Sequence, residues 1–170
     1  MNYLITYNDN KSTEQIIQEI NNIEGLPLKD LKVMDLIYHN GDPIRSGIGV
    51  YIFKSKEKCY YVGNCVSRCF AERIPAHFDL RKVGWFNSLL KTIIKHKFTD
   101  KKITDESLHQ AAKFAFENIS LVLINFEYNK DYINQKKRIN NLERNLGEGL
   151  KSYNTSFRKI QSVEIENDIL

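Results

Sequence analysis

Residues 47–63 constrain the fold more than any other stretch of the chain. They read as two short strands around the polar turn Ser55-Lys56-Glu57. Successive side chains of a strand face opposite sides of the sheet. Centring the turn on Lys56 pairs Tyr51 with Tyr61, Gly49 with Gly63 and Phe53 with Cys59. The even positions Ile48, Val50, Ile52, Tyr60 and Val62 then form a continuous apolar face for the core. The odd positions set two opposed tyrosines beside two opposed glycines. A cross-strand tyrosine pair alone contributes only about 0.2–1 kcal/mol. Glycines weaken a strand, and inside one they often mark close approach by another backbone or a ligand.

The remaining elements follow from capping and periodicity. Residues 2–8 read as a strand, and Ser12 with Gln15 as a capping box opening a helix to about Ile23. Residues 31–38 read as extended, ahead of an Asn40-Gly41-Asp42-Pro43 turn. Helices are expected over 66–74, 82–97 and 105–117, the last capped by Thr104 or Asp105. Ile119, Leu121, Val122, Leu123, Ile124 and Phe126 compose a buried strand, and a final helix runs from about Asp131 to Leu150. The expected class is α+β: a small antiparallel sheet, the hairpin plus a third strand, flanked by helices. Residues 1–46 form an N-terminal extension, 47–158 the main module and 159–170 an acidic tail.

Charge is partitioned along the chain. The net +4 hides −3 over residues 1–46 and −3 over 161–170, whereas 47–160 carries 21 basic residues against 11 acids. That central block is where a polyanion would dock. No apolar run is long enough to span a membrane and no signal peptide is visible, so a cytoplasmic location is expected. Cys59, Cys65 and Cys69 contain no C-x-x-C pair. They suit neutral thiols in a reducing compartment better than disulfides or a zinc site.

Gly49-Val50-Tyr51, nine residues, then Tyr61-Val62-Gly63 resembles the signature of the GIY-YIG nuclease superfamily. Ala71-Glu72-Arg73-Ile74-Pro75-Ala76-His77-Phe78 is similar to the helix that supplies that family's arginine and, in several branches, a histidine. Leu142-Glu143-Arg144-Asn145-Leu146, with Asn154 after it, resembles the closing helix with its metal-binding glutamate. Three departures stand out. Arg73 lies twelve residues past Tyr61, about two more than is usual in the family. Pro75 should kink or restart the helix before His77, and Asn64 stands where many members carry a lysine.

The resemblance implies a divalent-metal-dependent DNA endonuclease, restriction-type, acting on double-stranded DNA with Mg2+, for which Mn2+ can substitute. A homodimer and a cognate DNA methyltransferase are compatible with such a system. It implies Tyr51, Tyr61, Arg73, His77, Glu143 and Asn154 as site residues, with Glu143 holding the metal. Tyr51 would contact or deprotonate the attacking water with Tyr61 in support, an order the sequence leaves open. Arg73 would contact phosphate oxygens, with Arg68 and Arg81 as other candidates, and His77 would assist proton transfer or contact phosphate. Asn154 would position the helix end or a phosphate, or act only as a cap. The apolar stripe Ile139, Leu142, Leu146 and Leu150 puts Glu143 at its edge beside Gly147, and Glu148 on the solvent side near Arg144. That favours Glu143 as the ligand. The alternative is a non-catalytic nucleic-acid-binding module with the same architecture.

Overall fold

The structure is a computed structural model that describes residues 1–127, 131–154, 157 and 159–163. The acids Glu164, Glu166 and Asp168 of the expected tail lie outside the described residues. The chain is mixed α+β. In order it forms β1 (Leu4–Thr6), α1 (Thr13–Asn22), β2 (Leu26–Pro27), β3 (Tyr38–His39), β4 (Asp42–Pro43), β5 (Ile48–Lys54) and β6 (Cys59–Cys65). Then come α2 (Phe70–Arg73), α3 (Ser88–Lys97), α4 (Asp105–Asn118), β7 (Ser120–Phe126) and α5 (Tyr132–Gly149). No helix among the described residues is long and apolar enough to cross a membrane.

The sheet runs β1-β7-β5-β6, with β2 also pairing to β7, and it is mixed rather than purely antiparallel because β1 lies parallel to β7. Residues 1–46 therefore contribute β1 and β2 to the same sheet as the hairpin. Two apolar layers cover its faces. Tyr51, Phe53, Leu121 and Leu123 pack with α3 and α4. Val50, Ile52, Val62, Val122 and Ile124 pack with α1 and α5. Central strands buried on both sides read as unbroken apolar runs, which is why 119–126 is recognisable from composition.

The hairpin register lies two residues from the expected one. Tyr51 pairs with Gly63, Gly49 with Cys65 and Phe53 with Tyr61, and the ladder slips between Phe53 and Lys54. A symmetric turn on Lys56 is replaced by a four-residue turn closed by Ser55 N–H to Lys58 C=O at 2.8 Å. A shift of two preserves the faces, so Tyr51 and Tyr61 still share one. The bulge does not preserve them beyond it. Tyr60 leaves the expected Val50/Val62 face and packs against Phe114 and Tyr153, and Cys59 takes its place.

Three other expectations change. Residues 33–36 form a 3-10 turn instead of an extended segment, ahead of a β3–β4 hairpin with Asn40 and Gly41 at positive φ. The helix expected over 66–74 is only the four residues of α2. That expected over 82–97 starts at Ser88, because 79–87 form a loop. The Ser12/Gln15 capping box of α1 and the Thr104 cap of α4 are present.

Candidate active-site cleft

Gly63 explains how a core tyrosine reaches a cleft. It lies opposite Tyr51 across the β5–β6 pair, and any Cβ at this position would collide with the Tyr51 hydroxyl. The missing side chain lets the phenol lie over the edge strand β6. Gly49, at φ +147°, lets the backbone approach β7 so closely that a Cβ would strike the Ile124 carbonyl. Both glycines mark close approaches, one by a phenol and one by a backbone.

A cleft of about 360 Å³ opens at this end of β6, lined by Tyr51, Tyr61 and Gly63, by Asn64, Arg68, Arg73 and Phe86, and by Lys136 and Glu143 of α5. Because β6 is an edge, side chains from both faces of the sheet meet here. Tyr51 comes from the α3/α4 side, and Asn64 points the other way, donating to Glu143 and, at 3.2 Å, to Asn140. Of the two phenols, Tyr61 is partly exposed and Tyr51 is fully buried on the inner wall, with ring centroids 6.2 Å apart.

Pro75 does restart the chain. α2 ends and a 3-10 turn, Pro75–Phe78, follows, which swings His77 into the core behind Tyr51. His77 is fully buried, and its Nε2 lies 2.7 Å from the Tyr51 hydroxyl. The Leu89 N–H donates to Nδ1 at 3.2 Å. A neutral imidazole whose Nδ1 accepts must carry its proton on Nε2, so His77 donates to the Tyr51 oxygen. Burial, and next the nearby Arg73 charge, push the His77 pKa well below its ordinary value. His77 is thus a neutral positioning residue for Tyr51 and is not on the cleft wall.

Burial drives the Tyr51 pKa well above its ordinary value and Tyr61 reinforces this, while Arg73 opposes it. Tyr61 is raised by burial and lowered by Ser88, which donates to its hydroxyl at 3.0 Å, and by the nearby Arg73 charge. Arg73 stacks on Phe86, 4.9 Å from the ring centroid, with Arg68 at 5.0 Å. Its Nη1 is buried without a hydrogen-bond partner among the described residues. A buried, unpaired guanidinium nitrogen costs about 1–3 kcal/mol or more unless a ligand satisfies it. Arg81, the alternative, instead bonds Asp79 at 2.7 Å away from the cleft.

Glu143 is half-buried at the cleft, whereas Glu148 is exposed and pairs with Arg144 at 2.9 Å. Gly147 does not make room for Glu143. Its missing side chain accommodates the Phe157 ring, with which a Cβ would collide. Asn154 lies off the cleft. Its side chain accepts from the Val62 N–H at 2.9 Å and donates to the Val62 carbonyl at 2.7 Å, tying the segment after α5 to the edge of β6. No cluster of three or more His, Cys, Asp or Glu side chains suited to a metal occurs among the described residues. A single carboxylate on an open cleft still suits Mg2+, which keeps most of its waters and takes one or two carboxylates plus substrate phosphate. Cys59 and Cys65 are buried free thiols, Cys59 pushed up to about 12 by burial. Asn64, Phe86, Ser88 and Lys136 carried no sequence signal as site residues; only the position of Asn64 stood out. Comparison with protein-family models, with curated proteins and with solved structures finds no match for the chain.

Proposed function

We propose that the cleft is the active site of a divalent-metal-dependent DNA endonuclease of the GIY-YIG type, hydrolysing phosphodiester bonds, restriction-type in role. The observation that carries this reading is the meeting of Tyr51, Tyr61, Arg73 and Glu143 on one cleft with Arg73 Nη1 left unpaired. In this reading Glu143, bonded by Asn64, would hold Mg2+ or Mn2+, which would supply Lewis-acid stabilisation of developing negative charge. Arg73, its guanidinium placed over the Phe86 ring, donates to the phosphate oxygens in this reading.

The two phenols take different roles because Tyr51 is bonded to His77 in the core and Tyr61 is partly exposed on the cleft. The Tyr61 hydroxyl accepts from Ser88 and is partly exposed on the cleft, where in this reading it orients a water. The Tyr51 oxygen accepts from His77, and once its own proton has left to solvent through the cleft its phenolate can take a proton from the attacking water. Burial keeps Tyr51 protonated in this state, and Arg73 and the His77 Nε2–H are the groups of this chain that favour its phenolate. Tyr51 is fully buried on the inner wall of the cleft, beside the partly exposed Tyr61.

Nicking of supercoiled plasmid tests the reading. Activity should require Mg2+ or Mn2+ and stop with chelator. Tyr51→Phe should lower the rate at least about 100-fold, the usual size of a lost general base. Undiminished nicking by Tyr51→Phe would remove its role, and no metal-dependent nicking by the wild type would favour a non-catalytic nucleic-acid-binding module.

A further inference from the structure

The loop between the 3-10 turn and α3 is built inside out. Two of its polar side chains, Asp79 and Asn87, turn inward, while Arg81 and Lys82 are exposed. The Asp79 carboxylate accepts from the Arg81 N–H at 3.0 Å and from the Arg81 guanidinium at 2.7 Å. Asn87 donates to the Asp79 and Arg81 carbonyls at 2.7 and 3.0 Å, and Lys91 donates to the Gly84 carbonyl at 2.7 Å. Gly84 is so enclosed that a Cβ would sit 2.9 Å from Asp79 Oδ2 and 3.0 Å from the Arg81 carbonyl oxygen. The apolar side chains are what the loop displays. Val83 is 81% exposed and Trp85 91% exposed. A loop held this firmly does not present its largest aromatic to water by slackness.

The surroundings indicate the partner. Arg81 and Lys82 flank the display, Arg68 stands nearby at the cleft, and the one acid of the loop, Asp79, is engaged by Arg81. Phe86, next to Trp85, is the ring on which Arg68 and Arg73 stack, so Trp85 stands one residue from the cleft wall. Exposed aromatics among cations are the usual means of stacking on bases or wedging between them.

We propose that the 79–87 loop is a DNA wedge, with Trp85 stacking on a base of the duplex whose backbone lies in the neighbouring cleft. This rests on the reading that the cleft takes DNA. It adds a base contact that anchors or distorts the duplex beside the phosphate held by Arg73.

The chain has one tryptophan, so its intrinsic fluorescence reports on this position alone. Duplex oligonucleotide is titrated in chelator, with binding followed separately by anisotropy of labelled DNA. The proposal expects saturable quenching of Trp85 in step with binding. Trp85→Ala should weaken binding about 10-fold or more, as loss of one base stack does, with Trp85→Phe recovering most of it. Binding that leaves Trp85 fluorescence unchanged overturns the wedge. So does a blue shift with protein concentration in the absence of DNA, which assigns the loop to contact between copies. Plasmid nicking is measured alongside. Quenching without nicking leaves the wedge and removes the nuclease reading, nicking without quenching does the reverse, and absence of DNA binding overturns both.

Discussion

His77 shows how much chemistry one residue's placement decides. Its buried Nδ1 faces the Leu89 N–H, so protonation would set donor against donor. With its pKa depressed by burial and by Arg73, the unfolded chain binds a proton in a range where the folded chain does not. The sign follows directly. This contribution is fully present above the unfolded histidine pKa of about 6.5 and is lost as pH falls below it, at a limiting slope of about 1.4 kcal/mol per pH unit. Urea unfolding at pH 7 and pH 5 should show the wild type losing more stability on acidification than His77→Gln. Equal losses would mean that His77 can protonate in place. The proline two residues earlier, which in the sequence looked like a threat to this histidine, is part of the turn that delivers it.

At the scale of elements, the edge strand β6 and helix α5 make the site only if they stay together. Asn154 supplies both a donor and an acceptor to Val62 and so stands in for a further strand at that edge. Asn154→Ala should cost about 1–3 kcal/mol, because the Val62 N–H and C=O lose their partner, and the lower urea midpoint checks it. An unchanged midpoint would mean that α5 is held by its apolar stripe alone. Much of this arrangement was legible in the sequence. The caps at Ser12 and Thr104, the shared face of Tyr51 and Tyr61, and the edge position of Glu143 all follow from local rules of spacing. What was not legible depends on contacts between distant residues. The bulge at Lys54 moved Tyr60 to the other layer, and the Asp79–Asn87 network turned nine residues of expected helix and connector into a loop. The bond from Asn64 to Glu143 and the Phe157 ring over Gly147 have no periodicity to announce them.

Across the whole molecule, the mixed sheet is the frame on which these elements meet, with β1 and β2 from the acidic leader closing it on the side away from the cleft. In the proposed nuclease, the basic excess of residues 47–160 supplies long-range attraction to DNA, and the carboxylate of Glu143 the step that attraction cannot. Binding should therefore belong to the broad surface and cleavage to Glu143, because an ion held there stabilises charge that develops mainly in the transition state. The decisive measurement is plasmid cleavage in Mg2+ by wild type, Glu143→Ala and Glu148→Ala. DNA affinity at about 50 and 200 mM salt and thermal stability are recorded in parallel, binding being expected to weaken steeply over that range. The account predicts three folded proteins with similar, strongly salt-dependent binding, cleavage abolished in Glu143→Ala, and cleavage nearly intact in Glu148→Ala, whose exposed pair with Arg144 contributes only about 0–1 kcal/mol. Full cleavage by Glu143→Ala, or loss confined to Glu148→Ala, would contradict it.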